Sequence, residues 1–187
     1  MSRFFLDASA IVKYYNEEPH SDKVKYLIDE KFESPARFFV PNIAILETVG
    51  TFYRAHYMDG RIPLDSAKSL AATFLNDLAE GKKFALYSLR QSHINEAVRY
   101  FESVFNVYRS FREMAPPDKP IYPCSPNDML MIAMTKADMT NNGKDVYLIT
   151  NDRQMSSVAS KVGVNQVLLQ SFGLDKFKQK FPPKRIK

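Results

Sequence analysis

Four acids in this chain stand where a carboxylate does little for folding and a good deal for chemistry. Asp7 follows the apolar run FFL, and Glu47 lies within NIAILETVG among Ile43, Ile45, Leu46 and Val49. Asp128 stands just ahead of LMIAM, and Asp152 follows LIT. Each alone has an ordinary use: an Asp after a strand serves a turn, and an Asp at a helix start serves as a cap. Glu47 also fits the solvent edge of an amphipathic stripe. Brought together, such groups repel one another and raise each other's pKa unless a cation offsets the charge. Hard Mg²⁺ or Mn²⁺ takes oxygen ligands of this kind, and it activates water and stabilises charge on a phosphodiester. The hydroxyls of Ser9 and Thr150 and the amides of Asn127 and Asn151 are close enough in sequence to orient those carboxylates or hold water.

Other chemistries lack their residues. Ser9 has no G-x-S-x-G elbow, and Cys124 sits in a proline-rich stretch with no His beside it in sequence. His20, His56 and His93 form no H-E-x-x-H pattern, and neither a G-x-x-x-x-G-K-[ST] nor a G-x-G-x-x-G loop occurs. A single cysteine excludes an intramolecular disulfide and a Cys-rich metal cluster. Lys13, Arg54, Arg61 and Arg153 are the candidates for contact with a nucleic-acid backbone; Tyr14 and Tyr15 suit either stacking on an unpaired base or packing in the core or at a dimer interface.

The elements that must position these groups alternate. Strands are expected at 4–6, 37–40, 84–89, 146–150 and 165–170. Between them the pattern predicts a helix capped by Ser21, one from Asn42 to about Met58, and one from Asp65 closed by Gly81. A long amphipathic helix follows from Ser92 to about Arg112, with Phe101, Phe105 and Tyr108 on one spacing and Tyr100 and Val104 on another; both read as packing within the domain or across a dimer. Residues 115–126 hold five prolines and break that helix. Ser125 or Asn127 then caps a helix carrying Asp128, and a further helix ends at Gly163. Such alternation indicates an α/β fold with a largely parallel sheet, whose ligand crevice lies outside the carboxyl ends of the strands.

The 187 residues suit one domain, and 45% hydrophobic content suits a real core. The formal charge is +5, but the last 12 residues hold six basic side chains and no acid. Everything before Lys176 carries 20 basic and 21 acidic residues, net −1. The basicity therefore reads as a tail over 175–187 attached to a domain over 1–174. No apolar run reaches membrane-spanning length and no secretory leader is evident, so the expectation is a cytoplasmic protein without a membrane partner.

The stretch FFLDASAIVKYY resembles the opening strand and turn of the PIN-domain ribonucleases, among them the VapC-type toxins of toxin–antitoxin pairs. In the same order, NIAILETVG resembles the family's glutamate-bearing helix, SPNDMLMIAMTKA its D-A-L-I-A-A helix, and VYLITNDRQM its L-V-T-x-D-x-x-F strand and turn. The resemblance covers most of residues 3–170 and implies a three-layer α/β/α sandwich. It implies that Asp7, Glu47, Asp128 and Asp152 are the catalytic quartet holding Mg²⁺ or Mn²⁺, with Ser9 and Thr150 in support. It also implies RNA cleavage, a homodimer and, for the toxins, an antitoxin partner. Two departures stand out: Met155 replaces the family's Phe, and the interval between Glu47 and Asp128 is longer than in compact toxins, with the extra length assigned to about 90–126. The alternatives are a nuclease of RNA processing or of structured DNA that is not a toxin, and a non-catalytic RNA-binding domain of the same fold.

Overall fold

The computed structural model describes residues 2–31, 38–116 and 123–182. Five strands form one sheet: β1 (Arg3–Leu6), β2 (Phe38–Pro41), β3 (Ala85–Tyr87), β4 (Val146–Thr150) and β5 (Gln166–Leu168). All the pairings are parallel and the order is β3-β2-β1-β4-β5. Strand β1 is central because its residues are apolar on both faces, as a strand covered by helices on each side requires. Phe4 stacks on Phe38 at 5.4 Å, and Phe5 on Phe39 at 5.3 Å on the opposite face.

Helices α1 (Ala8–Tyr15), α2 (Ser21–Lys25), α3 (Asn42–Tyr57) and α4 (Leu64–Glu80) fill the connections that lead from β1 out to β3. Helices α5 (Gln91–Val98), α6 (Phe101–Met114), α7 (Pro126–Asn142) and α8 (Arg153–Lys161) fill those that lead back across to β4 and β5. Right-handed crossovers put the two groups on opposite faces. The packing agrees, with α1 against α3, α3 against α4, α5 against α7 and α6 against α8. The fold is the three-layer α/β/α sandwich expected from the sequence, with a sheet that is parallel throughout the described residues.

Several local expectations change. The helix expected over 92–112 is two helices, broken at Arg99–Tyr100, where Tyr100 turns inward and donates its hydroxyl to Glu96 at 3.0 Å. The break lets Tyr100, Val104 and Val107 all reach the core. Arg90 rather than Ser92 is the N-cap of α5, and His93 Nδ1 accepts the Arg90 N–H at 3.0 Å. Ser21 does not cap α2: its Oγ accepts the Glu18 N–H at 3.0 Å and donates to the Asn16 carbonyl at 3.1 Å. The helix it opens passes into a π-helical stretch over Tyr26–Lys31. Strand β3 is shorter than 84–89, whereas Gly81, at φ 64°, ends α4 in the left-handed conformation that favours glycine.

The expected basic tail is in part a core element. Helix α9 (Leu174–Lys180) turns its lysines outward and buries Phe177 completely, with Phe181 just beyond it. Phe181 packs edge-on against Phe4 at 5.5 Å, and its carbonyl accepts from the Tyr26 hydroxyl at 2.8 Å. Alternating Lys and Phe read as charge in the sequence, and the Phe positions carry the packing. Residues 183–187, the residues 117–122 of the proline-rich segment and Arg37 of the second strand lie outside the described residues. Among the described residues no helix is long and apolar enough to cross a membrane.

Candidate active site

The strand order changes direction between β1 and β4, the place where an open α/β sheet splits to form a crevice. Asp7 and Thr150 sit at that split. Leu6 pairs with Ile149, and the Asp7 N–H donates to the Ile149 carbonyl at 3.2 Å. The chain then turns and Asp7 becomes the N-cap of α1, accepting the Ala10 N–H at Oδ1 over 2.7 Å. The Ser9 hydroxyl donates to the same carboxylate, 2.8 Å from Oδ1 and 3.0 Å from Oδ2. Thr150 donates to Oδ2 at 2.5 Å.

The same two hydroxyls hold the turn after β4. Thr150 Oγ1 accepts the Asp152 N–H at 2.9 Å, and Ser9 Oγ accepts the Asn151 N–H at 2.9 Å. Asp152 is the N-cap of α8 and accepts the Met155 N–H at 2.8 Å. Asp128 is the third helical residue of α7. It accepts the Ser125 N–H at 2.7 Å while Ser125 Oγ accepts the Asp128 N–H at 3.2 Å, a reciprocal capping box. Ser125 is thus the cap, and Asn127 lies exposed beside it. Three acids with an ordinary capping role also gather at the carboxyl edge of the sheet, so capping and chemistry are not alternatives here.

Glu47 projects from the second turn of α3, exposed to solvent. Asp128 links the four acids, its charge acting on Asp7 and on Glu47, while Asp152 acts on Asp128 and Glu47. Burial pushes Asp7 up to about 7, reinforced by the charge of Asp128 and opposed by the hydrogen bonds from Thr150, Ala10 and Ser9. Asp128 is also raised by burial and then by Asp152, against its bonds from Ser125. Glu47 is raised by partial desolvation and by the charges of Asp128 and Asp152, while Arg54 pulls the other way. The amino ends of α1, α3, α7 and α8 all open onto this edge, and their N–H groups partly offset the negative charge.

Among the described residues no three His, Cys, Asp or Glu side chains are drawn close enough together to hold a metal ion as they stand. The chemistry of the donor set nevertheless fits a hard divalent ion, because hard oxygen donors that disfavour one another's ionisation are what such a cation relieves.

The candidate backbone contacts fare differently. Lys13 is 5% exposed and its Nζ pairs with Glu18 at 3.1 Å, so the expected phosphate contact is corrected to an internal ion pair. Arg61 pairs with Asp59 and lies 3.6 Å from Glu18, which follows the carboxyl end of α1, the end away from Asp7. Arg54 is exposed on α3, and Arg153 is exposed with Nε held by Gln170 Oε1 at 2.9 Å. Tyr14 and Tyr15 are not stacking platforms. Their rings pack against Phe84, Phe52 and Phe74, and their hydroxyls donate to Asp29 and Asp77, each at 2.7 Å.

Gln170 has no sequence signal that would have singled it out, since it only ends an apolar strand pattern. It braces the site by donating to the Asn151 carbonyl at 2.9 Å while it accepts from Arg153. Asn151 Oδ1 and Gln154 Oε1 are buried without a donor among the described residues. Cys124 is buried within the fields of Asp128 and Asp152, and burial above all pushes its thiol up to about 12, far from a nucleophilic thiolate.

A family model described as PIN domain matches residues 4–161. Among solved structures, the chain is similar to FitAcB from Neisseria gonorrhoeae, with a TM-score of 0.56 and 13% identity, covering 90% of this chain and 99% of that one. It is similar to VapC20 of Mycobacterium tuberculosis, described as a toxin that cleaves the sarcin–ricin loop, with a TM-score of 0.52 and 16% identity over 88% and 98% of the two chains. A DNA-bound VapBC from Salmonella typhimurium gives a TM-score of 0.52 and 13% identity over 89% and 98%. At these identities the likeness is one of fold. No curated protein matches the chain.

Proposed function

This chain belongs to the PIN domain family, and from that premise we propose that it is a divalent-metal-dependent endoribonuclease, the toxin of a type II toxin–antitoxin pair. The observation that carries the reading is the placement of Asp7, Glu47, Asp128 and Asp152 in one field at the topological split of the sheet. Among similar structures, the VapC20 toxin of Mycobacterium tuberculosis supports RNA as the substrate, and the VapBC and FitAcB structures support an antitoxin partner. The reading carries with it a cytoplasmic homodimer.

Asp7, Glu47, Asp128 and Asp152 are the residues that would hold Mg²⁺ or Mn²⁺. When bound, the ion supplies charge to the phosphodiester and lowers the pKa of a water. The protein's own groups set the geometry. Thr150 and Ser9 fix the orientation of Asp7, and the same hydroxyls tie down the backbone at Asn151 and Asp152. Glu47, with a raised pKa and access to solvent, positions the attacking water and accepts its proton. The amino ends of α1 and α8 hold Asp7 and Asp152 in place through the Ala10 and Met155 N–H groups.

The test is RNA cleavage by purified protein with Mg²⁺ or Mn²⁺, with chelator, and with Asp7→Asn. Cleavage should require the ion and drop at least about 100-fold in the variant. Wild type that cuts no RNA and binds no divalent ion sinks the reading. Cleavage confined to structured DNA moves the protein to the non-toxin alternative.

A further inference from the structure

Helix α3 leaves the carboxylate site carrying groups that folding does not use. Its exposed residues beyond Asn42 are Leu46, Glu47, Gly50, Arg54 and Tyr57. On a helix of about 3.6 residues per turn, all five fall within about 100° of arc. One stripe therefore runs from Glu47 along the outside of the helix. Gly50 within it has no use in the fold. Its φ is not positive, and a Cβ there would meet nothing within 4 Å. Glycine inside a helix weakens it relative to alanine, so neither backbone conformation nor internal packing calls for one here. What a bare backbone does offer is room for a ligand to come close.

Beyond the glycine the stripe carries a cation and then an aromatic ring. Arg54 is exposed and has no ion-pair partner among the described residues. Tyr57 is 68% exposed, yet its ring is held. It stacks on Tyr53, with centroids 6.3 Å apart and planes 14° from parallel. The His56 ring meets it at 4.7 Å, inclined at 67°, and His56 Nδ1 is fixed by the Ile62 carbonyl at 3.0 Å. Tyr57 is thus set in place while most of its ring stays open, so a ligand stacking on it costs little further ordering. A guanidinium takes a phosphate through charge-assisted hydrogen bonds, and an open aromatic face takes an unpaired base. A nucleic-acid strand presents that pair of anion and flat ring at every unit, which an apolar protein helix does not.

We propose that the outer stripe of α3 is a binding site for single-stranded RNA, the strand passing over Gly50, with a phosphate on Arg54 and an unpaired base stacked on Tyr57. Arg54 lies about 10 Å and Tyr57 about 15 Å from Glu47 along the helix axis. At the ~3.4 Å spacing of stacked bases, the base on Tyr57 stands about four nucleotides from the bond at Glu47. The site rests on the ribonuclease reading for the identity of its nucleic acid. It narrows that reading to an unpaired region of RNA, because a base inside a duplex has no free face to stack. It also assigns base stacking to a tyrosine other than Tyr14 and Tyr15, whose rings are used in packing.

Fluorescence anisotropy of a labelled oligouridine of about 12 nucleotides tests it, with the full chain held in chelator so that no cleavage intervenes. Tyr57→Ala should weaken binding about 5- to 100-fold, and Tyr57→Phe should keep most of the affinity. Arg54→Gln should reduce the slope of log affinity against log salt by about 0.7, one phosphate contact on a single strand. Gly50→Gln should raise the melting temperature, since it removes a glycine from a helix, and yet weaken RNA binding. A glycine with only a structural role would not give that split. Circular dichroism confirms that each variant folds, as expected for exposed positions. Wild type that binds no RNA overturns the proposal, as does binding indifferent to Tyr57→Ala or to Gly50→Gln. A Tyr57→Ala that changes only the mass by light scattering also overturns it, and gives the stripe to a protein partner. Cleavage with Mg²⁺ or Mn²⁺ is measured on the same samples. Binding that depends on Tyr57 without any cleavage keeps the stripe and removes the nuclease reading; cleavage with binding indifferent to Tyr57 does the reverse.

Discussion

The Thr150 hydroxyl donates to Asp7 Oδ2 over 2.5 Å and, from the other side, accepts the backbone N–H of Asp152 at 2.9 Å. One buried hydroxyl thus joins two of the four carboxylate positions and ties together residues 143 apart in the chain. Thr150→Val keeps the shape and removes both bonds. It leaves a partly buried N–H without its acceptor, at a cost of about 1–3 kcal/mol. Cleavage should fall about 10- to 100-fold, as when the support of a ligating carboxylate is lost, and Thr150→Ser should recover most of it. Full activity in the Val variant would contradict this role.

Asp7 makes stability depend on pH. Unfolded, it loses its proton near the ordinary 3.8; folded, near 7. Between those values the folded chain keeps a proton that the unfolded chain has released. Stability without metal therefore falls as pH rises through that window and levels off above 7. Glu47 and Asp128 are raised too and act in the same direction. From pH 5 to 8 the Asp7 contribution alone is about 3 kcal/mol. Chelator-treated wild type should melt progressively lower over that range, and Asp7→Asn should flatten much of the slope. Equal slopes in the two proteins would exclude Asp7 as the cause.

Added Mg²⁺ or Mn²⁺ should raise the melting temperature more at pH 8 than at pH 5, because ligation requires the deprotonated carboxylate. The difference should vanish in Asp7→Asn. A stabilisation independent of both pH and Asp7 would place ion binding elsewhere.

Arg3 and Asp138 offer a control remote from the chemistry. Arg3 Nε and a second guanidinium nitrogen meet the two oxygens of Asp138 at 2.6 and 2.9 Å, and Asp138 is 2% exposed. This pair ties the start of β1 to the later part of α7. Asp138→Ala leaves Arg3 without its carboxylate and should cost about 2–4 kcal/mol, since Arg3 is only partly buried. Measured below the melting transition, cleavage per folded molecule should stay near wild type. A loss of activity without a loss of stability would refute the assignment.

Truncation separates packing from charge at the carboxyl end. Ending the chain after Pro182 removes three of the six basic side chains of the last twelve residues but keeps Phe177 and Phe181 in the core. The protein should then melt close to wild type. Ending it after Leu174 removes both rings, and Phe177→Ala alone should cost about 3–5 kcal/mol. Equal stability of the two truncations would show that α9 is dispensable.

Much of the site was legible because its residues are marked locally. FFL before Asp7 and LIT before Asp152 are apolar runs that end on an acid, and S-P-N-D opens a helix with its own cap. The strands and most helices followed from the same punctuation. The misplacements have local causes as well. Lys13 reads as surface charge but closes an ion pair with Glu18, and of the two uses open to Tyr14 and Tyr15 the structure takes packing, against Phe84, Phe52 and Phe74. Gln170 carried no mark, because its role depends wholly on the turn it meets.

By itself the sequence determined where the strands and most of the helices lie, and that four acids stand at or near their ends. Both are matters of local periodicity and capping, written within a few residues. The tertiary structure alone decided that β1 lies beside β4, so that Asp7 meets Thr150, and that the charge of Asp128 acts on both Asp7 and Glu47. It also decided that Val104 faces the core while Phe105 faces solvent, and that Phe177 is core inside a basic stretch. Periodicity shows that a helix has an apolar face but not which of two such faces meets the sheet. That choice depends on crossovers that bring distant segments together, and no local pattern encodes them.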